Sequence, residues 1–86
     1  MFISVPGHTA GSLALHVPQL GVLFTGDTIA HHGGRPILGV FNVDREEAIR
    51  SLKKQAALEF ETACFGHGPP IVGGASGQLR ELAASL

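Results

Sequence analysis

The chain has no tryptophan, no tyrosine and a single cysteine. One cysteine leaves an internal disulfide without a second partner. Six Lys plus Arg against seven Asp plus Glu give a formal net charge of -1. That balance offers no basic surface for a phosphate backbone, and the missing Trp and Tyr remove the usual platforms for stacked bases, so nucleic-acid binding is not expected. No apolar run has the length of a membrane span, and no charged segment leads into an apolar stretch as in a secretory leader. The expectation is a cytoplasmic protein that engages neither membrane nor nucleic acid. Charge is also scarce in one half: before Asp44 the only Asp, Glu, Lys or Arg are Asp27 and Arg35. Most of that half has little with which to face water.

What is present describes a folded chain. Its 86 residues are 44% hydrophobic and 15% charged, with a mean hydropathy of +0.26, which argues against disorder and for one small domain over residues 1–86. Twelve glycines are about twice the usual share of roughly 7%. They follow no repeat and punctuate turns instead.

"SLALHV" alternates, with Leu13, Leu15 and Val17 on one side and Ser12, Ala14 and His16 on the other, the pattern of a half-buried strand. "PQLG" turns the chain, and the continuous apolar run "GVLFTG" reads as a strand forming a hairpin with its predecessor, so that Asp27 falls at a strand end. "HHGGRPILG" is read as a loop from its glycines and proline. A helix follows, capped by Asp44 with Glu47 three residues on; Ile49, Leu52, Ala56 and Phe60 share its apolar face. "ETACF" is a short strand, "GHGPP" a turn and "GQLRELAASL" a second helix. With a short piece around Phe2 to Val5, the expected order is three strands, helix, strand, helix.

Three polar side chains each follow a strand and stand beside glycine: His8 in "PGHT", Asp27 in "TGDT" and His67 in "FGHG". Strand ends in layered α/β proteins are where ligand-binding loops converge. Two imidazoles and a carboxylate also form a donor set suited to zinc, iron or manganese. Taken one at a time, each has a commoner role as a turn residue, a backbone hydrogen-bonding group or a helix cap. Other candidates are weaker. Cys64 reads as a small buried strand residue rather than a nucleophile, and His16 as a strand residue on the less apolar face. Ser4 and Ser12 lack the surroundings of a nucleophile elbow. His31 and His32 read as loop residues that could touch a substrate or a metal.

Taken in order, "VPGHTAGSLALHVPQLGVLFTGDTIA", a helix and "CFGHGPPI" closely resemble the C-terminal half of metallo-β-lactamase-fold hydrolases. The resemblance implies an α/β chain forming half of a four-layer αββα fold, with mainly antiparallel strands and two helices packed on one face. It further implies that His8 is a ligand to a first metal, His67 to a second, and that Asp27 bridges both and serves as the catalytic carboxylate. The family's chemistry is hydrolysis of a small-molecule ester, thioester, lactone, lactam or phosphodiester by a metal-bound hydroxide. Zinc is the first expectation for the divalent metal, with iron or manganese as alternatives.

The family's N-terminal H-x-H-x-D-H motif has no counterpart here; His31 and His32 have the wrong spacing and follow Asp27. One terminal ligand per metal plus a bridging carboxylate is too few to close a tetrahedral or octahedral site. Two readings follow. One is a metal-dependent hydrolase, or the metal-binding part of one, complemented by an N-terminal half. The other is a non-catalytic truncated chain or interaction module that pairs through an exposed sheet, as a homodimer for example.

Overall fold

The computed structural model describes residues 1–7, 11–39 and 44–86. In chain order the elements are β1 (Phe2–Ser4), β2 (Leu13–Val17), β3 (Val22–Phe24), β4 (Ile29–His32), β5 (Arg35–Leu38), α1 (Arg45–Ala56), β6 (Thr62–Cys64), β7 (Ile71–Val72) and α2 (Ala75–Ser85). Among the described residues, β1-β2-β3-β6-β7 form one sheet and β4-β5 a separate hairpin. Every pairing is antiparallel except β3 with β6, whose parallel register sets Phe24 opposite Cys64. This is the mixed α/β architecture with two helices that the resemblance implies.

Register decides which side chains share a face, because neighbours directly across a sheet point the same way. Ala14 pairs with Ile3, His16 with Leu23, Leu23 with Ala63 and Ala63 with Ile71. This face is buried, packing Ala14, Leu23, Ala63 and Ile71 against Leu52 and Ala56 of α1 and Ala75 and Leu79 of α2. The opposite face carries Phe2, Leu15, Phe24 and Cys64 in one row, with Leu13, Val22 and Val72 beside it. Phe2 is 71% exposed, Leu13 56%, Phe24 43% and Val72 78%.

Strand β2 is therefore half-buried as expected, but on the side where its smaller and more polar residues lie. His16 is buried; its Nε2 donates to the Glu59 carbonyl at 2.9 Å, while its Nδ1 has no hydrogen-bond partner among the described residues. The apolar side of the strand is the uncovered one.

The segment read as a loop is the β4-β5 hairpin. Gly33 and Gly34, with φ of +63° and +78°, supply the two left-handed residues of a turn whose twist matches its strands, so the glycines join strands here instead of replacing them. Helix α1 begins at the expected cap: Asp44 Oδ1 accepts from the Glu47 amide at 3.1 Å. Its buried stripe is Ala48, Ser51, Leu52, Gln55 and Ala56, with Ile49 only partly covered. The helix stops at Ala56, and Phe60 reaches the core from the connection that follows. The second helix starts at Ala75, two residues ahead of "GQLRELAASL", after the unforeseen strand β7.

Candidate metal centre

Beyond β3 the chain enters the turn that carries Asp27. The residues on either side of that carboxylate are held from within: Thr25 and Thr28 are 0% and 1% exposed. The Thr25 amide donates to the Cys64 carbonyl at 2.9 Å, and Thr28 Oγ1 donates to the Thr25 carbonyl at 2.8 Å. Asp27 projects outward from this locked turn, its side chain about half exposed at 50%.

The parallel β3-β6 pairing sends both strands out at the same end of the sheet, so the turn after β6 emerges beside the turn after β3. The Gly66 amide donates to the Gly26 carbonyl at 2.8 Å and binds the two turns together. A Cβ on Gly66 would overlap Asp27 Oδ1, so any side chain here would displace the carboxylate from its present position. His67 comes next, with Nε2 3.6 Å from Asp27 Oδ1. That separation is too long for a good hydrogen bond. It does suit two ligands of one cation, since donors each about 2.0–2.2 Å from a metal stand roughly 3.0–3.6 Å apart.

The β4-β5 hairpin supports the His67 turn from the other side. The His31 amide donates to the His67 carbonyl at 3.0 Å, and His31 Nδ1 donates to the Pro69 carbonyl at 2.6 Å. The His31 ring also rests near Phe65, with centroids 5.6 Å apart. His31 is thus a strand residue that clamps the histidine loop. Nothing in the sequence singled out this role, because the contact spans the whole of α1. His32 stands exposed across from Arg35 at the end of the hairpin.

His8 lies outside the described residues. The chain leading to it is anchored on α1, where Ser51 Oγ donates to the Pro6 carbonyl at 2.6 Å and the Asp44 amide to the Gly7 carbonyl at 2.9 Å. Beyond it, the Ser12 carbonyl accepts from the Val5 amide at 2.9 Å. Among the described residues no group of three or more His, Cys, Asp or Glu gathers as a ready cation site. The structure brings Asp27 and His67 together and keeps His16 on the inner face of the sheet. Cys64 is half-buried, with its carbonyl engaged by Thr25. No described helix is long and apolar enough to cross a membrane.

The family model of the metallo-beta-lactamase superfamily matches residues 1–67. The chain belongs to that superfamily. A hydroxyacylglutathione hydrolase of Cereibacter sphaeroides is 43% identical over 67 residues, covering 76% of this chain and 25% of its own length. The enzyme of the same name from Brucella ovis is 42% identical over the same number of residues, which is 24% of its length. The chain therefore spans about a quarter of the length of the curated relatives it matches. Among solved structures, a metallo-beta-lactamase family protein from Thermus thermophilus superposes with a TM-score of 0.71 at 28% identity, over 98% of this chain and 29% of that one. TTHA1623, solved in a di-iron-bound form, gives 0.76 at 25% identity over 99% of this chain and 41% of its own. The superfamily binds divalent metals.

Proposed function

We propose that this chain is the metal-binding part of a metal-dependent hydrolase, with Asp27 and His67 as ligands on the described surface and His8 as a third. The observation that carries the reading is the pair of side chains at adjacent strand ends, 3.6 Å apart and both open to solvent. Imidazole nitrogen and carboxylate oxygen suit zinc, iron or manganese. Zinc is the first choice; the di-iron form of TTHA1623 supports iron as the alternative. Asp27, held by the buried turn behind it, would serve as the catalytic carboxylate and help hold the metal.

A cation at this pair supplies the acidity that makes water a nucleophile near neutral pH and polarises the bond attacked. The protein's own contribution is orientation. Thr25 and Thr28 hold the Asp27 turn, Gly66 leaves room for its carboxylate, and the His31 clamp fixes the backbone that presents His67. Among the small-molecule substrates open to the family, the relatives named hydroxyacylglutathione hydrolase favour a thioester.

The test is the metal content of the purified chain after loading with zinc, manganese or iron and dialysis. Near-stoichiometric retention, lost in both Asp27→Ala and His67→Ala, is expected. Equal retention in the variants, or none in the parent chain, would overturn the assignment.

The uncovered sheet face supports a second reading, in which the chain is an interaction module that pairs through Phe2, Leu13, Phe24 and Val72. The covering layer is then a second copy, or a complementing sheet that brings the H-x-H-x-D-H ligands. Robust turnover by the pure chain would reject a non-catalytic module; a strictly monomeric species in light scattering would reject pairing between copies.

A further inference from the structure

Gln55 is an anomaly in the buried stripe of α1. Its stripe neighbours Ala48, Leu52 and Ala56 are apolar and the hydroxyl of Ser51 is paired with the Pro6 carbonyl, yet Gln55 is fully buried and its Oε1 has no hydrogen-bond partner among the described residues. An unpaired buried carbonyl oxygen carries a desolvation penalty that leucine at the same position would avoid. Stability alone therefore does not explain the residue.

Its other amide atom is fully engaged. Nε2 donates to Thr28 Oγ1 at 3.1 Å and to the Ser51 carbonyl at 3.3 Å. A carbonyl only accepts, so the Ser51 contact fixes the amide orientation and aims an N–H at Thr28. With one lone pair of Thr28 Oγ1 taken, the hydroxyl hydrogen goes to the Thr25 carbonyl at 2.8 Å. The chain Gln55 Nε2 to Thr28 Oγ1 to Thr25 O thus crosses the core from helix to turn and closes the turn over Asp27. The turn is further tied by the Gly39 amide to the Thr28 carbonyl at 2.9 Å and by the Gly66 amide to the Gly26 carbonyl at 2.8 Å.

We propose that Gln55 is a positioning residue for Asp27: by orienting the Thr28 hydroxyl, it holds the turn that aims the carboxylate at the His67 side. Its bearing on a metal rests on the function proposed above. Gln55 itself touches neither Asp27 nor His67, and acts through Thr28.

The experiment uses the full chain with Gln55→Leu, Thr28→Val and Thr28→Ser. Four quantities are read: the thermal midpoint, amide hydrogen exchange at Gly66, and the affinity and the visible spectrum of bound cobalt(II). Gln55→Leu is expected to melt close to the parent, because removing the unpaired Oε1 at similar volume offsets the loss of the two Nε2 hydrogen bonds. Its Gly66 amide should exchange about tenfold faster and its cobalt affinity fall about tenfold with an altered spectrum, the lower end of the loss seen when outer partners of metal ligands are removed. Thr28→Val should behave likewise, the double variant should add little further loss, and Thr28→Ser should restore parent behaviour.

Unchanged Gly66 exchange together with an unchanged cobalt spectrum in Gln55→Leu would overturn the proposal. Should the parent bind no cobalt while Gly66 still loosens in the variant, the metal reading fails and the positioning of the turn stands. If Gln55→Leu does not fold, the contrast between Thr28→Ser and Thr28→Val decides: equal Gly66 exchange in the two overturns the proposal.

Discussion

At the residue scale, the site depends on an atom that is absent. Gly66 has hydrogen where any other residue has Cβ, and that space is filled by Asp27 Oδ1. Gly66→Ala therefore forces the carboxylate to rotate away from His67 while leaving the buried threonines beneath it untouched. The expected outcome is a folded protein with a melting temperature close to the parent's and a loss of metal retention of about tenfold or more, as when other supports of a metal ligand are removed. Circular dichroism and metal analysis on the same preparation check it, and a variant that keeps its metal would show that Asp27 has room to spare. His31 is a second residue-scale support. His31→Ala removes the bond to the Pro69 carbonyl at 2.6 Å while keeping the backbone bond to His67, so metal retention should weaken less than in Gly66→Ala.

Helix α1 owes its lower end to another element. The Ala57 and Leu58 amides close the Lys53 and Gln55 carbonyls, and Arg80 of α2 supplies the last one and the connection beyond it: Nε donates to the Ala56 carbonyl at 3.0 Å and an Nη to the Leu58 carbonyl at 3.2 Å. The same guanidinium lies 3.3 Å from Glu59, but that carboxylate is 91% exposed and such pairs contribute about 0–1 kcal/mol. The carbonyl contacts should dominate. Arg80→Ala is expected to cost about 1 kcal/mol, chiefly through the orphaned Ala56 carbonyl, since the Leu58 contact is exposed to water. For a domain of this size each kcal/mol lowers the melting point by roughly 4–8 °C. Glu59→Gln should leave the melting point almost unchanged. Thermal denaturation of both variants separates the two contributions, and equal destabilisation would mean the ion pair matters more than its exposure suggests.

For the molecule as a whole, the sheet has helices on one face and an apolar surface on the other, and a layered fold buries both. Fully burying a Phe, Leu or Val side chain contributes about 1.5–3 kcal/mol, while association costs on the order of 4–15 kcal/mol. Four such side chains on each copy, Phe2, Leu13, Phe24 and Val72, bring the two within range of each other. Self-association that grows with concentration is therefore expected. Leu13→Lys combined with Phe24→Lys puts charge at the middle of that face and should leave a monomer with an intact core, since neither side chain points inward. Sedimentation velocity over a concentration series checks it; a parent chain that stays monomeric throughout would show that the face does not pair with itself.

The sequence by itself determined the features that depend on near neighbours. Alternation in "SLALHV", the apolar run of "GVLFTG", the Asp44 cap and the order of "PGHT", "TGDT" and "GHG" are local signals, and they located β2, β3, α1 and the resemblance that singled out the candidate ligands. Alternation, however, says that the two faces of a strand differ and not which one a helix will cover, so the inward turn of Ala14 and His16 was decided by tertiary packing. The glycines of "HHGGRP" permit a loop as readily as a tight hairpin, and only pairing between β4 and β5 distinguishes them. Strand β7 is two residues long, too short to carry a period. The approach of Asp27 to His67, the space kept by Gly66 and the reach of Gln55 to Thr28 join residues far apart in the chain. Such contacts exist only once the parallel β3-β6 pairing has brought two strand ends together and α1 has packed on the sheet, and no local pattern encodes that.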